Sequence, residues 1–224
     1  MTTLYLIRHG QASIGTDNYD VLSSLGKRQA QLLGKHLQQL NVTFDAVYCG
    51  SLDRQKDTAT IALNHQPQSP EVIAGFNEYH HSAIYQHYAP LINAQALSDN
   101  PNAQIDYQMF STLMNAWAAD TDADHKDLES WSQFNARIKT SIDEVCSRHK
   151  KEDTVAIFTS GGVICTLLQS IFHFPTSRIF EINWGIYNSS ISKIKLHRGD
   201  MKLREYNNIT HLLLHQDQSL VTNI

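Results

Sequence analysis

No run in this sequence approaches the ~18 consecutive apolar residues that a membrane-spanning helix requires, so no membrane association is expected. The N-terminus also lacks a basic stretch followed by a long apolar segment. Arg8 interrupts the run after Ile7, which is unlike a secretory leader. Cysteine is scarce: Cys49, Cys146 and Cys165 are odd in number and far apart, which argues against a disulfide framework and suits a reducing cytoplasm. An excess of positive charge is missing too. The formal net charge is -4, and the basic residues are scattered rather than banked on one stripe, so nucleic acid is not an expected partner. Repeats and low-complexity segments are absent. Hydrophobic content of 42% with 18% charged residues is ordinary globular composition, and the length fits either one large domain or two small ones.

Histidine, by contrast, is plentiful at 12 residues, which raises the question of a metal site. The pair with helical spacing is His211 and His215, in His-Leu-Leu-Leu-His. Leu212 stands where a zincin would carry Glu, and no third ligand is evident, so neither metal nor other cofactor is expected.

Short β-favouring runs alternate with helical patterns. Thr3–Ile7 reads as a strand, and a helix capped by Ser23 or Ser24 follows over Leu25–Leu40. A strand is expected at Asp45–Cys49, a helix at Leu52–Leu63 and a third strand at Glu71–Ala74. From about Glu78 to Ser130 Tyr and His cluster without a clear strand. This stretch, with the polar loop Asp120–Asp124, is expected to be a mostly helical insertion over the site. Then come a helix (Ser132–Lys150), a buried strand (Thr154–Phe158) and a helix (Val163–Phe172) stopped before Pro175. Strands at Ser189–His197 and Met201–Tyr206 are joined by a turn at Gly199-Asp200. The alternation predicts an α/β fold, a layered and mostly parallel sheet with helices on both faces. Ligands bind such sheets at the carboxyl ends of the strands. Both Arg8-His9-Gly10 and Thr159-Ser160-Gly161-Gly162 follow a predicted strand directly.

A neutral imidazole at His9 can attack phosphorus, and neighbouring guanidinium charge favours the neutral form. Arg8 offers a planar fork that matches phosphate oxygens, and Gly10 lets the backbone approach a ligand closely. With eight Arg, 12 His and 10 Gly, chance supplies only about 0.02 such tripeptides. Arg54 opens a predicted helix just after a strand, where the helix N-terminus already favours an anion.

Arg-His-Gly after the first strand, Ser-x-x-Arg-x-x-x-Thr-Ala after the second and Glu78 after the third together resemble the histidine phosphatase superfamily, the phosphoglycerate mutase-like group. The similarity extends over nearly the whole chain, through Leu25-Gly26, Gln29-Ala30, Gly161-Gly162 and Tyr206–Leu212. It implies a single domain over residues 1–224. It also implies a phosphatase in which His9 is phosphorylated, Arg8 and Arg54 clamp the phosphoryl group, and Glu78 is the general acid. Ser160 and Gly161 would supply further donors to the phosphate. The implied substrate is a phosphorylated small molecule or phosphopeptide, with no metal required.

Two positions depart from the resemblance. Ser160 stands where members commonly carry a second histidine, and Gly15 where many carry Asn. Losing a strong donor costs about 2.7–4 kcal/mol in related oxyanion sites, or roughly 10²–10³ in rate. Ser160→His is therefore expected to raise the rate if space allows. Two alternatives stay open on the sequence: a phosphoglycerate mutase-type phosphotransferase, and a phosphatase-like module that binds a phosphorylated ligand with little turnover. Ser160 also sits between a strand and a helix, as in a serine-hydrolase nucleophile elbow. Phe158 occupies the position where that motif wants glycine, and Asp200 and His211 are its unselected partner candidates.

Overall fold

The structure, a computed structural model, describes residues 1–13, 19–90, 106–121, 128–197 and 200–223. In chain order the elements are β1 (Thr2–Arg8), α1 (Ser24–Gln39), β2 (Ala46–Cys49), α2 (Asp53–Ala62), β3 (Glu71–Val72) and α3 (His81–Tyr88). They continue with α4 (Tyr107–Ala119), α5 (Trp131–Arg148), β4 (Thr154–Thr159), α6 (Gly161–Phe172) and α7 (Ser177–Trp184). Last come β5 (Ile191–His197), β6 (Asp200–Asn208) and α8 (Thr210–Leu213).

The six strands form one sheet in the order β3-β2-β4-β1-β5-β6. The first four run parallel, and β5 and β6 pair antiparallel on the β1 edge. Strand period two sends alternate side chains to opposite faces. Leu4 and Leu6 of β1 join Val155 and Ile157 of β4 in one apolar cluster with α5, α6 and α7. Ile7, Ala156 and Phe158 face the other way and pack with Leu33 and Leu37 of α1 and Ala59 and Ala62 of α2. Apolar burial on both faces is why β1 and β4 read as near-continuous hydrophobic runs.

Register then positions the site. Arg8 lies opposite Thr159 across β1 and β4, and Cys49 lies opposite Phe158 across β2 and β4. The residues that follow, His9, Gly50 and Ser160, therefore leave the sheet side by side at its carboxyl edge.

Several boundaries differ from the sequence expectation. β3 is only two residues, and the chain from Ala74 to Phe76 tightens into a 3₁₀ turn. α6 stops before Pro175 as expected, closing on His173 in the left-handed region, but Ser177–Trp184 restarts as a helix that the sequence reading missed. Within the insertion, α3 and α4 are helical, and Trp117 of α4 packs its ring 5.3 Å from Tyr79 and 5.1 Å from Trp131. Asp120 caps α4 and accepts from the Tyr88 hydroxyl at 2.7 Å. Gly15, residues 122–124 of the expected loop and Gly199 of the expected turn lie outside the described residues.

Candidate active site

His9 leaves β1 into a tightly clasped backbone. Its N–H donates to Thr159 O at 2.9 Å, and its carbonyl accepts from Ser189 N–H at 3.1 Å. Gly10 N–H donates to Thr58 Oγ1 at 3.0 Å, while the Thr58 hydroxyl donates to Arg54 O at 2.6 Å. Thr58 thus ties the first-strand loop to the first turn of α2. Gly10 is required, but not for the reason the sequence suggested. A Cβ there would lie 2.5 Å from Gly26 O, so the close approach is to the start of α1 rather than to a ligand.

The imidazole is 95% buried, its relative exposure being 5%. Its Nδ1 lies 2.7 Å from Gly10 O. A carbonyl has no proton to give, so Nδ1 carries the hydrogen and Nε2 is left unprotonated, as an acceptor. Burial first, then the charges of Arg54 and Arg8, hold the imidazole well below its ordinary pKa. The ring is neutral, with its Nε2 lone pair toward Arg54.

Arg54 meets that lone pair: its Nε–H donates to His9 Nε2 at 3.2 Å. Nη1 of the same guanidinium pairs with Asp20 Oδ1 at 2.7 Å, and Asp20 Oδ2 accepts from Asp53 N–H at 2.8 Å. Asp20, which the sequence reading did not single out, fixes the arginine against the helix start. Arg8 is held differently, because its Nη1 donates to the carbonyls of Ile186 and Asn223. Its Nε is buried with no hydrogen-bond partner among the described residues. Such an orphaned donor carries a desolvation penalty until an acceptor arrives, and an anion would relieve it.

Glu78 is the third charged group. Its Oε2 accepts from Gly162 N–H at 2.9 Å and its Oε1 from Tyr79 N–H at 3.3 Å. Burial raises the carboxyl pKa above its ordinary value, against those two hydrogen bonds and the charges of Arg54 and Arg8. A Cβ on Gly162 would stand 2.2 Å from Glu78 Oε1, so the second glycine makes room for the carboxylate. Gly162 N–H is consequently not a phosphate donor.

Ser160 is fully buried as the N-cap residue of α6, with Gly161 beginning the helix. The Ser160 hydroxyl oxygen accepts from Gln55 Nε2 at 2.8 Å, and the second Gln55 amide hydrogen goes to Phe76 O at 3.0 Å. An NH₂ group cannot accept, so Ser160 keeps its own proton for another acceptor. Gln55 was invisible as a site residue in the sequence, since an exposed helix glutamine has the same signature. Its amide stands directly against the Ser160 hydroxyl.

This changes the expectation for Ser160. Adding an imidazole to a fully buried position against Gln55 is overpacking, which typically costs about 1–3 kcal/mol. Ser160→His alone is now expected to lower stability and activity. The double variant Ser160→His/Gln55→Ala should recover both, and thermal unfolding with turnover on one preparation checks it. The serine-hydrolase arrangement also fails. His211 Nε2 pairs with Ser189 Oγ at 2.9 Å, and Asp200 lies opposite His197 where β5 and β6 meet, at the amino end of β1. His211 is buried and His215 exposed, so the helical-spacing pair does not share a ligand direction.

The family model described as the histidine phosphatase superfamily (branch 1) matches residues 4–209. A Schizosaccharomyces pombe protein named as a probable phosphatase is 26% identical over 226 residues, covering 93% of this chain and 94% of its own. The mitochondrial serine/threonine-protein phosphatase Pgam5 of Caenorhabditis briggsae is 38% identical over 64 residues. That match covers 29% of this chain and 22% of the relative, so the chain spans about a fifth of that protein's length. Among solved structures, YhfR of Bacillus stearothermophilus superposes with a TM-score of 0.69 at 22% identity, over 94% of this chain and 99% of its own, and shares the fold.

Proposed function

The chain belongs to the histidine phosphatase superfamily, and we propose that it is a metal-independent phosphomonoester hydrolase acting through a phosphohistidine at His9. The observation that carries this reading is the unprotonated Nε2 of a buried, neutral His9, fixed by Gly10 O on its other nitrogen and accepting from Arg54 at 3.2 Å.

In the first step His9 Nε2 attacks phosphorus in line, the P–O bond to the leaving group breaks, and Glu78 gives its proton to the departing oxygen. Arg54 Nε–H transfers its hydrogen bond from the imidazole to an equatorial oxygen, and Arg8 Nε–H finds its missing acceptor on the same group. Ser160 and the start of α6 at Gly161 add neutral donors. In the second step the Glu78 carboxylate takes a proton from water, which attacks phospho-His9 and regenerates the free imidazole. The guanidinium groups supply the charge stabilisation that Mg²⁺ provides elsewhere.

The two pKa shifts set the pH dependence. Protonation would silence His9, but its pKa lies well below the ordinary value, so the nucleophile stays available into acid. Glu78 must be protonated to act as acid, and its raised pKa keeps it so further up the scale than an ordinary carboxyl. The kcat/KM for a phosphomonoester panel should therefore hold to lower pH than an ordinary histidine would allow and fall as pH rises through the raised Glu78 pKa. Glu78→Gln should lower the rate by about 10²–10⁴ and flatten that alkaline limb. Turnover should persist in EDTA, with an acid-labile phosphoenzyme trapped by rapid quench. Loss of activity in EDTA with recovery on Zn²⁺, or phosphate binding without a trappable phosphoenzyme, would overturn the proposal.

A further inference from the structure

Beside Arg54 stands a row of aromatic rings. The Arg54 guanidinium lies over the Tyr19 ring, 5.3 Å from its centroid. The His81 ring meets Tyr19 edge-on at 4.9 Å and Tyr85 edge-on at 5.7 Å. His81 and Tyr85 stand one helical turn apart on α3, so their side chains share a face. Arg54, Tyr19, His81 and Tyr85 thus form a continuous row that starts at the guanidinium touching His9. Burial, followed by the charges of Arg54 and His80, holds His81 down to about 4, so this ring is uncharged at neutral pH.

Charge beside Arg54 points the same way. Asp20 sets a carboxylate against the guanidinium, and the Glu78 carboxyl stands at Gly162, close enough to feel the charge of Arg54. A leaving group with its own carboxylate or second phosphate would meet these acidic groups. Arg8 and Arg54 are themselves committed to the phosphoryl group in the proposed function.

We infer that the preferred substrate is a small phosphomonoester whose leaving group carries an uncharged aromatic ring, held against the Tyr19–His81–Tyr85 wall. The inference rests on the phosphatase reading for its chemistry, but binding tests it independently of turnover. Aromatic pairing beyond simple burial corresponds to a factor of roughly 2–10 in affinity.

The test compares benzylphosphonate with cyclohexylmethylphosphonate, which are non-hydrolysable and similar in size, by calorimetry on the full chain. Benzylphosphonate should bind about 2–10-fold more tightly. A carboxylate in the para position should weaken binding, and His81→Leu should erase the benzyl preference while inorganic phosphate affinity is kept. Equal affinity of the two phosphonates, or tighter binding of the carboxylated one, would overturn the assignment. The matching phosphate esters, whose alcohol leaving groups have similar basicity, should show the same order in kcat/KM. If neither ester turns over while the benzyl preference in binding persists, the phosphatase reading fails and the aromatic wall stands.

Discussion

His9→Ala is expected to abolish turnover while leaving the fold intact. In the proposed mechanism no other group forms the covalent bond to phosphorus, so the loss should be at least about 10⁴-fold, in the range seen when a nucleophile is removed. The fold should survive because the backbone around residue 9 is held independently of the ring. Thr159 O and Ser189 N–H hold the main chain, and Thr58 holds Gly10. Truncation leaves a polar-walled space beside Arg54 that water can enter, so the cost should be milder than that of a core cavity. Circular dichroism and the unfolding midpoint should stay close to wild type, and rapid acid quench should find no phosphoenzyme. Wild-type turnover by a folded His9→Ala protein would remove the proposed nucleophile.

Arg54→Ala should lower kcat/KM by roughly 10³, the scale of a guanidinium that stabilises phosphoryl-transfer charge. A second effect separates this from simple loss of binding. Arg54 is one of the charges depressing the His9 pKa, so its removal lets that pKa rise. The imidazole then takes up a proton at higher pH, and the acid limb of the rate profile should move up. Arg54→Lys should recover little, since the fork now reaches His9 Nε2 through Nε and Asp20 through Nη1 at once. An ammonium has a single nitrogen and cannot span both. A variant that loses rate with no movement of the acid limb would mean that Arg54 does not act on His9 electrostatically.

Much of this was legible in the chain. Local patterns suffice where a property depends on neighbours in sequence: the apolar runs of β1 and β4, a serine cap for α1 at Ser23 or Ser24, of which the structure uses Ser23, and Arg8-His9-Gly10 directly after a strand. The histidine phosphatase assignment followed from the order of such local motifs, and the family match over residues 4–209 agrees with it. The helix Ser177–Trp184 was not legible, because α6 and Pro175 come just before it and its own pattern is short.

Partnerships between residues far apart in sequence belong to the tertiary structure alone. Gln55 meets Ser160 only because α2 and α6 both begin at the carboxyl edge of the sheet, after strands paired in register. Asp20 reaches Arg54 across the first loop, and Gly162 is needed because Glu78 comes back from beyond β3. Local motifs could therefore point to His9, Arg8 and Arg54 as candidates. The neutral state of His9, the raised pKa of Glu78 and the direction of the Ser160 proton were decided by burial and by which donors the fold had already used. Those are properties of a packed neighbourhood, and no local stretch of sequence contains one.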